Sequence, residues 1–145
     1  MMTNNEHFRK LERMYLSAPI NELYSPKLTI TKGQAELMIP IHKKFFHAAT
    51  AVHGSVYFKA LDDAAFFAAN SLVEDVFIYT VSFHVHFIRP ITDGEMRAVG
   101  RVVHSSRNLI VADSIAYDSR DREIGRGSGN FMKSRIQLTA EIGYA

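Results

Sequence analysis

Between Val56 and Val73 apolar residues occupy almost every angle of a helical wheel, from Val56, Tyr57 and Phe58 through Ala60, Leu61, Ala64 and Ala65 to Leu72 and Val73. A helix with no polar face has no side for solvent, so the rest of the protein must wrap it. Asp62 and Asp63 fall in its middle, where an ionised carboxylate is costly unless it is paired, hydrogen-bonded or given a task. Ahead of it, Phe8, Leu11, Met14 and Tyr15 recur at three- and four-residue steps, which predicts an amphipathic helix over 5–17 that stops near Pro19. Residues 27–41 read as a hairpin, with Leu28 and Ile30 before the turn Lys32-Gly33-Gln34 and Leu37, Ile39 and Ile41 after it. Residues 42–52 lack a period and read as a loop.

Beyond the buried helix the period changes from 3.6 to 2. Val81, Phe83, Val85 and Phe87 alternate with Thr80, Ser82, His84 and His86, the clearest strand signal in the chain (77–88). Polar turns at Asp93-Gly94, 105–108 and 118–122 separate three further strands, 96–104, 109–117 and 123–132. Four strands joined by short turns predict an antiparallel meander, and the weakly patterned residues 134–145 read as a frayed tail. The expected class is α+β: a curved antiparallel sheet wrapped around a long central helix. One sheet leaves a side of such a helix open. A second copy packed beside the first would close it, so a homodimer is expected, with a dimer of dimers as an extension.

Composition narrows the functions. The chain has 145 residues, which suits one domain over 1–145 with an N-terminal helical segment at 1–20; 47% hydrophobic and 22% charged residues suffice for a real core. A net charge of +2 without a dense basic block argues against nucleic acid binding. With no cysteine, disulfides, thiol nucleophiles and thiolate metal sites are excluded together. The polar start Met1-Met2-Thr3-Asn4-Asn5 has no apolar signal core, no run is long enough to span a bilayer, and a soluble cytoplasmic protein without a membrane partner is the default expectation.

His53-Gly54-Ser55 opens the buried helix, and Asp62 lies nine positions after the histidine. Together with the strand from Thr80 to Arg89-Pro90, this resembles the hotdog-fold thioesterases of the phenylacetate-degradation (PaaI-like) type, over about two thirds of the chain. In that family a His-Gly-Gly opens the central helix, an acid follows at the same distance, and a Ser or Thr begins the next strand. Ser55 stands here in place of the second glycine, and His47 in place of an asparagine six residues before the histidine. The resemblance implies the hydrolysis of acyl-coenzyme A thioesters without metal or cofactor. Asp62 would serve as base or nucleophile, Thr80 would hold the attacking water, and His53 would orient the loop.

Backbone N–H groups at Gly54 and Ser55 lie at the amino end of the helix, where they are free of helical partners and favour a developing negative charge. Eight residues of helix rise about 12 Å, too far for Gly54 and Asp62 to grip one carbonyl in one chain. The site should therefore join Gly54 of one protomer to Asp62 of the other. Asp63 points about 100° away from Asp62 and is expected to pair with a basic group or to face the dimer partner.

His47 and Phe58 are candidate substrate contacts, Phe58 with Phe66, Phe67, Phe83 and Phe87 as an acyl or aryl tunnel. Arg89, Arg107 and Arg126 are candidates for the coenzyme phosphates. The pair His84/His86, with His104, lacks an accompanying acid and reads as a polar strand face, and the glycines of 125–129 have the wrong spacing for a phosphate cradle or a serine elbow. Two other functions stay open on this sequence: a non-catalytic acyl or acyl-coenzyme A binding module, and a hotdog hydratase or dehydratase that would pair His53 with Asp62.

Overall fold

The computed structural model describes residues 2–145. Helix α1 spans Asn4–Ser17 and is started by a reciprocal cap: the Thr3 hydroxyl accepts the Glu6 N–H at 3.1 Å and the Glu6 carboxylate accepts the Thr3 N–H at 3.2 Å. Its buried stripe of His7, Phe8, Leu11, Met14 and Tyr15 docks on the body of the protein, and a 3-10 turn at Pro19–Glu22 follows. Strands β1 (Lys27–Thr31) and β2 (Gln34–Pro40) form the expected hairpin, with Gly33 in the left-handed conformation that the turn requires.

Helix α2 covers Gly54–Asn70 and is followed by β3 (Val76–Phe87), β4 (Glu95–Ser105), β5 (Ile110–Tyr117) and β6 (Glu123–Gln137). All six strands form one curved sheet in the order β1-β2-β4-β5-β6-β3, antiparallel at every pairing, with α2 lying against it. Alanines at 60, 64, 65, 68 and 69 are buried along the helix and let it sit close to the strands. At the closest approach a side chain on Gly100 would place its Cβ 2.2 Å from the Ala64 carbonyl oxygen. The helix is not enclosed on every side within one chain, because Phe58 remains 42% exposed.

The meander is only partly as expected. Strands β4, β5 and β6 follow one another, but β3 pairs with β6 at the far edge instead of with β4. The chain leaves β3, Ile88 and Arg89 both donate to the Ile124 carbonyl, and the segment through buried Ile91 passes the start of α2 to reach β4. A short polar turn in the sequence does not reveal that its two strands lie apart. The tail also differs from expectation. β6 continues to Gln137, a 3-10 turn follows at Ala140–Ile142, and Tyr144 is buried, its hydroxyl 2.7 Å from Nδ1 of the fully buried His7. His7 Nε2 donates to the Asn70 carbonyl at 3.0 Å, so both chain ends are tied to the end of α2.

Strand β3 carries a further irregularity. Its pairing with β6 slips between Thr80 and Ser82, so Val81 is an extra residue. Val76 and Ile78 are buried before the slip, and Phe83 and Val85 are partly buried after it, while Val81 is 52% exposed. Strict alternation would have put Thr80 on the face of His84 and His86. The bulge turns it towards the helix instead.

Candidate active site

Thr80 Oγ1 donates to Asp62 Oδ1 at 2.9 Å, joining the bulged strand to the middle of α2. The cavity that Asp62 lines, about 490 Å³ between α1, α2 and the ends of β3 and β6, is mainly apolar, with Met14, Tyr15, Phe66, Phe67 and Phe77 beside the charged Lys59 and Asp63. Burial pushes the Asp62 carboxyl up to about 6; the Thr80 hydrogen bond pulls it down, the neighbouring Asp63 charge raises it, and the Lys59 ammonium lowers it. A carboxylate with its midpoint near 6 is mostly ionised at neutral pH and basic enough to accept a proton from water.

Asp63 faces a different set of groups. Lys59 Nζ lies 2.6 Å from its Oδ2, and the Tyr15 hydroxyl donates to the same oxygen at 2.6 Å. The expected basic partner is thus Lys59, one helical turn back. Tyr15 comes from α1, and no local pattern linked it to α2. Lys59 also sits 5.1 Å from the centre of the Tyr15 ring and 5.0 Å from that of Tyr24.

At the start of α2, His53 is the helix cap. Its Nδ1 accepts the Ser55 N–H at 3.0 Å and lies 2.8 Å from the Ser55 hydroxyl. This revises one expectation, since the Ser55 N–H is already bonded; the Gly54 N–H is the donor left without a partner among the described residues. A Cβ at position 54 would lie 3.0 Å from the Phe87 ring, so glycine is what allows the close packing here. His47, Gly54, Tyr57, Phe87 and Arg89 line a second cavity of about 410 Å³. The Tyr57 hydroxyl donates to the Arg89 carbonyl at 2.7 Å and holds that wall.

The two cavities are separate. Asp62 and Thr80 line the first, while Gly54, His47 and Arg89 line the second. Phe58 lies on the helix between them, half exposed, its ring 5.5 Å from that of Phe83. Two arginines fall elsewhere. Arg107 sits in the exposed β4–β5 turn, and Arg126 projects from the sheet face away from α2, beside His84, His86 and Asp113, with its guanidinium bound to Glu123 at 2.6 and 2.9 Å. Phe83 accounts for the nearby glycines, since a Cβ at Gly127 would meet its ring at 2.4 Å.

A six-stranded antiparallel sheet curved around one long helix, with a strand hydroxyl on a half-buried helix acid, defines a hotdog-fold protein. Residues 50–124, just over half of the chain, match the model of the Thioesterase superfamily, and the chain belongs to that family. A proposed esterase of Saccharolobus solfataricus is 26% identical over 106 residues, covering 73% of this chain and 71% of that protein. A second from the same organism is 22% identical over 135 residues, covering 91% and 92%. Among solved structures, the E. coli PaaI protein from the phenylacetic acid degradation operon superposes with a TM-score of 0.85 at 16% identity, covering 95% of this chain and all of that one. A thioesterase family protein from Silicibacter pomeroyi superposes at 0.81 with 26% identity, covering 90% and 97%. Family membership supports thioester hydrolysis as the general chemistry. No helix among the described residues is long and apolar enough to cross a membrane.

Proposed function

We propose that this protein is a cytoplasmic acyl-coenzyme A thioesterase, active as a homodimer, in which Asp62 of one protomer and the Gly54 N–H of the other act on one thioester. The observation that carries the reading is the Asp62 carboxylate, held by Thr80 at 2.9 Å in an apolar cavity and raised to about 6. Asp62 acts as the base that takes a proton from water, and Thr80 holds the carboxylate and water in line. The attacking oxygen adds to the thioester carbonyl, the oxyanion is met by Gly54 N–H, and as the C–S bond breaks the proton held by Asp62 passes to the leaving sulfur, releasing the thiol and the acid. His53 holds the turn that presents the Gly54 N–H. Arg89 and His47, which line the second cavity, are the contacts proposed for the coenzyme.

Two features support a second copy. The candidate base and donor are separated by about 12 Å of helix, and β3 is a sheet edge of 12 residues with Tyr79, Val81 and Phe87 exposed. A long apolar edge invites pairing with another strand.

The test is a thiol-release screen over acyl-coenzyme A thioesters, run on the wild type and Asp62→Asn beside a measurement of mass in solution. Turnover by a dimer or tetramer, lost in Asp62→Asn with ligand binding retained, supports the proposal. Ligand binding without thiol release across the panel overturns it in favour of a binding module. Water addition to an enoyl thioester without free thiol overturns it in favour of a hydratase.

A further inference from the structure

Asp62 and Asp63 are adjacent acids that line the same apolar cavity, yet only one has a cation. Lys59 is one turn before Asp63 and opens onto that cavity too. Two carboxylates and one ammonium in a setting of low polarity cannot all be charged without mutual adjustment, because opposite charges within a few ångströms favour ionisation and like charges oppose it. The groups around Asp62 are few enough to name: Lys59 and Asp63 from its own helix, the Tyr15 hydroxyl from α1, Tyr24 beyond the 3-10 turn, and Thr80 and Tyr79 from β3. Lys59 is the one cation in this set. Burial and the adjacent carboxylate hold the Tyr15 hydroxyl neutral well above its usual range, so it donates to Asp63 and supplies no charge.

We propose that Lys59 is a positioning residue: bound between the Asp63 carboxylate and the Tyr15 and Tyr24 rings, it neutralises Asp63 so that Asp62 can ionise in the apolar cavity. This rests on the reading of Asp62 as the base. The hook of Tyr15 onto Asp63 makes the docking of α1 part of the arrangement, because α1 both roofs the cavity and orients the carboxylate that Lys59 must balance. Sequence spacing shows the Lys59/Asp63 pair, but only the fold places Asp62 and Tyr15 beside it.

The two members of the pair act on Asp62 with opposite sign. Lys59→Met leaves Asp63 as an uncompensated negative neighbour, and the Asp62 midpoint should rise by about one pH unit. Asp63→Asn leaves Lys59 unopposed, and the midpoint should fall by a similar amount. Lys59→Met/Asp63→Asn removes both charges and should return close to the wild-type midpoint, as should Lys59→Arg. The double variant also serves where Lys59→Met alone does not fold, since removing both partners of a buried pair is better tolerated than removing one.

The measurement is the carbon-13 carboxyl titration of Asp62 in the purified protein, assigned with Asp62→Asn, beside the pH profile of kcat. Opposite shifts in Asp63→Asn and the Lys59 variant, cancelled in the double, support the proposal; an Asp62 midpoint unmoved by Asp63→Asn, or a double variant displaced from the wild type as far as a single one, overturns it. The carboxyl titration needs no substrate, so shifts in a protein without thioesterase activity would sink the catalytic reading and leave the charge balance standing. Hydrolysis with an unmoved Asp62 would do the reverse.

Discussion

The middle and the start of α2 are built on opposite principles. Around Asp62 the walls are mostly rings and aliphatic groups beside the Lys59/Asp63 pair, one hydroxyl bonds the acid, and its proton affinity is raised. Around Gly54 the helix end is half open, a histidine caps it, and a backbone N–H is left over. The first environment suits a base by limiting water around the carboxylate while a single ammonium, Lys59, is held by Asp63; the second suits an anion by leaving a peptide dipole unspent. In the proposed reaction neither region suffices alone. Their separation along one helix is why the proposed reaction draws on two chains.

The sharpest way to break this contrast is at Asp62. Asp62→Asn should lower kcat by roughly 10²–10⁴-fold, the usual range for loss of a general base, in a steady-state thiol-release assay. The same variant should gain stability. The folded carboxyl is raised to about 6 above its usual 3.8, so the folded state binds the proton more tightly and wild-type stability falls as pH rises from about 4 to about 6. By urea unfolding, Asp62→Asn should exceed the wild type by on the order of 2 kcal/mol at pH 7 and lose that margin below pH 4. A variant equally destabilised at both pH values would show that the acid is there for packing.

The next effect is on the frame that both regions share. Gly100→Ala drives a Cβ into the Ala64 carbonyl oxygen at 2.2 Å, where only backbone can yield, and should cost about 3 kcal/mol in denaturant unfolding. Because α2 would lift from the sheet, both ends of the helix should suffer together. Loss of activity with unchanged stability would contradict that.

A smaller change separates the regions. Thr80→Val keeps the shape of the strand but removes the one hydrogen bond to Asp62, so the acid limb of the kcat profile, near pH 6 in the wild type, should move upward and kcat at pH 7 should fall about 10-fold, as for a bond to a charged group. A limb that stays in place would detach Thr80 from the base. The smallest effect belongs to the far end of the fold. Thr3→Ala removes a helix cap distant from either cavity and should cost about 1 kcal/mol of stability with kcat unchanged.

Much of this was legible from local pattern, for a specific reason in each case. The all-round apolar run announced α2 because helical period and burial leave a signature within one segment, and the β1–β2 hairpin announced itself through Gly33. A basic partner for Asp63 was one of two expectations, the dimer partner being the other; Lys59, one turn back on the same helix, is that partner in the structure. The edge position of β3 was not legible, because strand order depends on where a chain crosses and not on turn length. The ordered tail was missed because Tyr144 gains its burial from His7 at the other end of the chain.

The sequence by itself determined the central helix, the acid at its middle and the glycine turn before it, since these follow from side-chain polarity and residue spacing within a few turns. The tertiary structure alone decided that Thr80 meets Asp62, through one extra residue at Val81, and that Tyr15 meets Asp63. It also put Arg126 on the face away from both cavities. Such choices depend on register and crossing, which couple residues far apart in the chain through hydrogen bonds that no local pattern encodes.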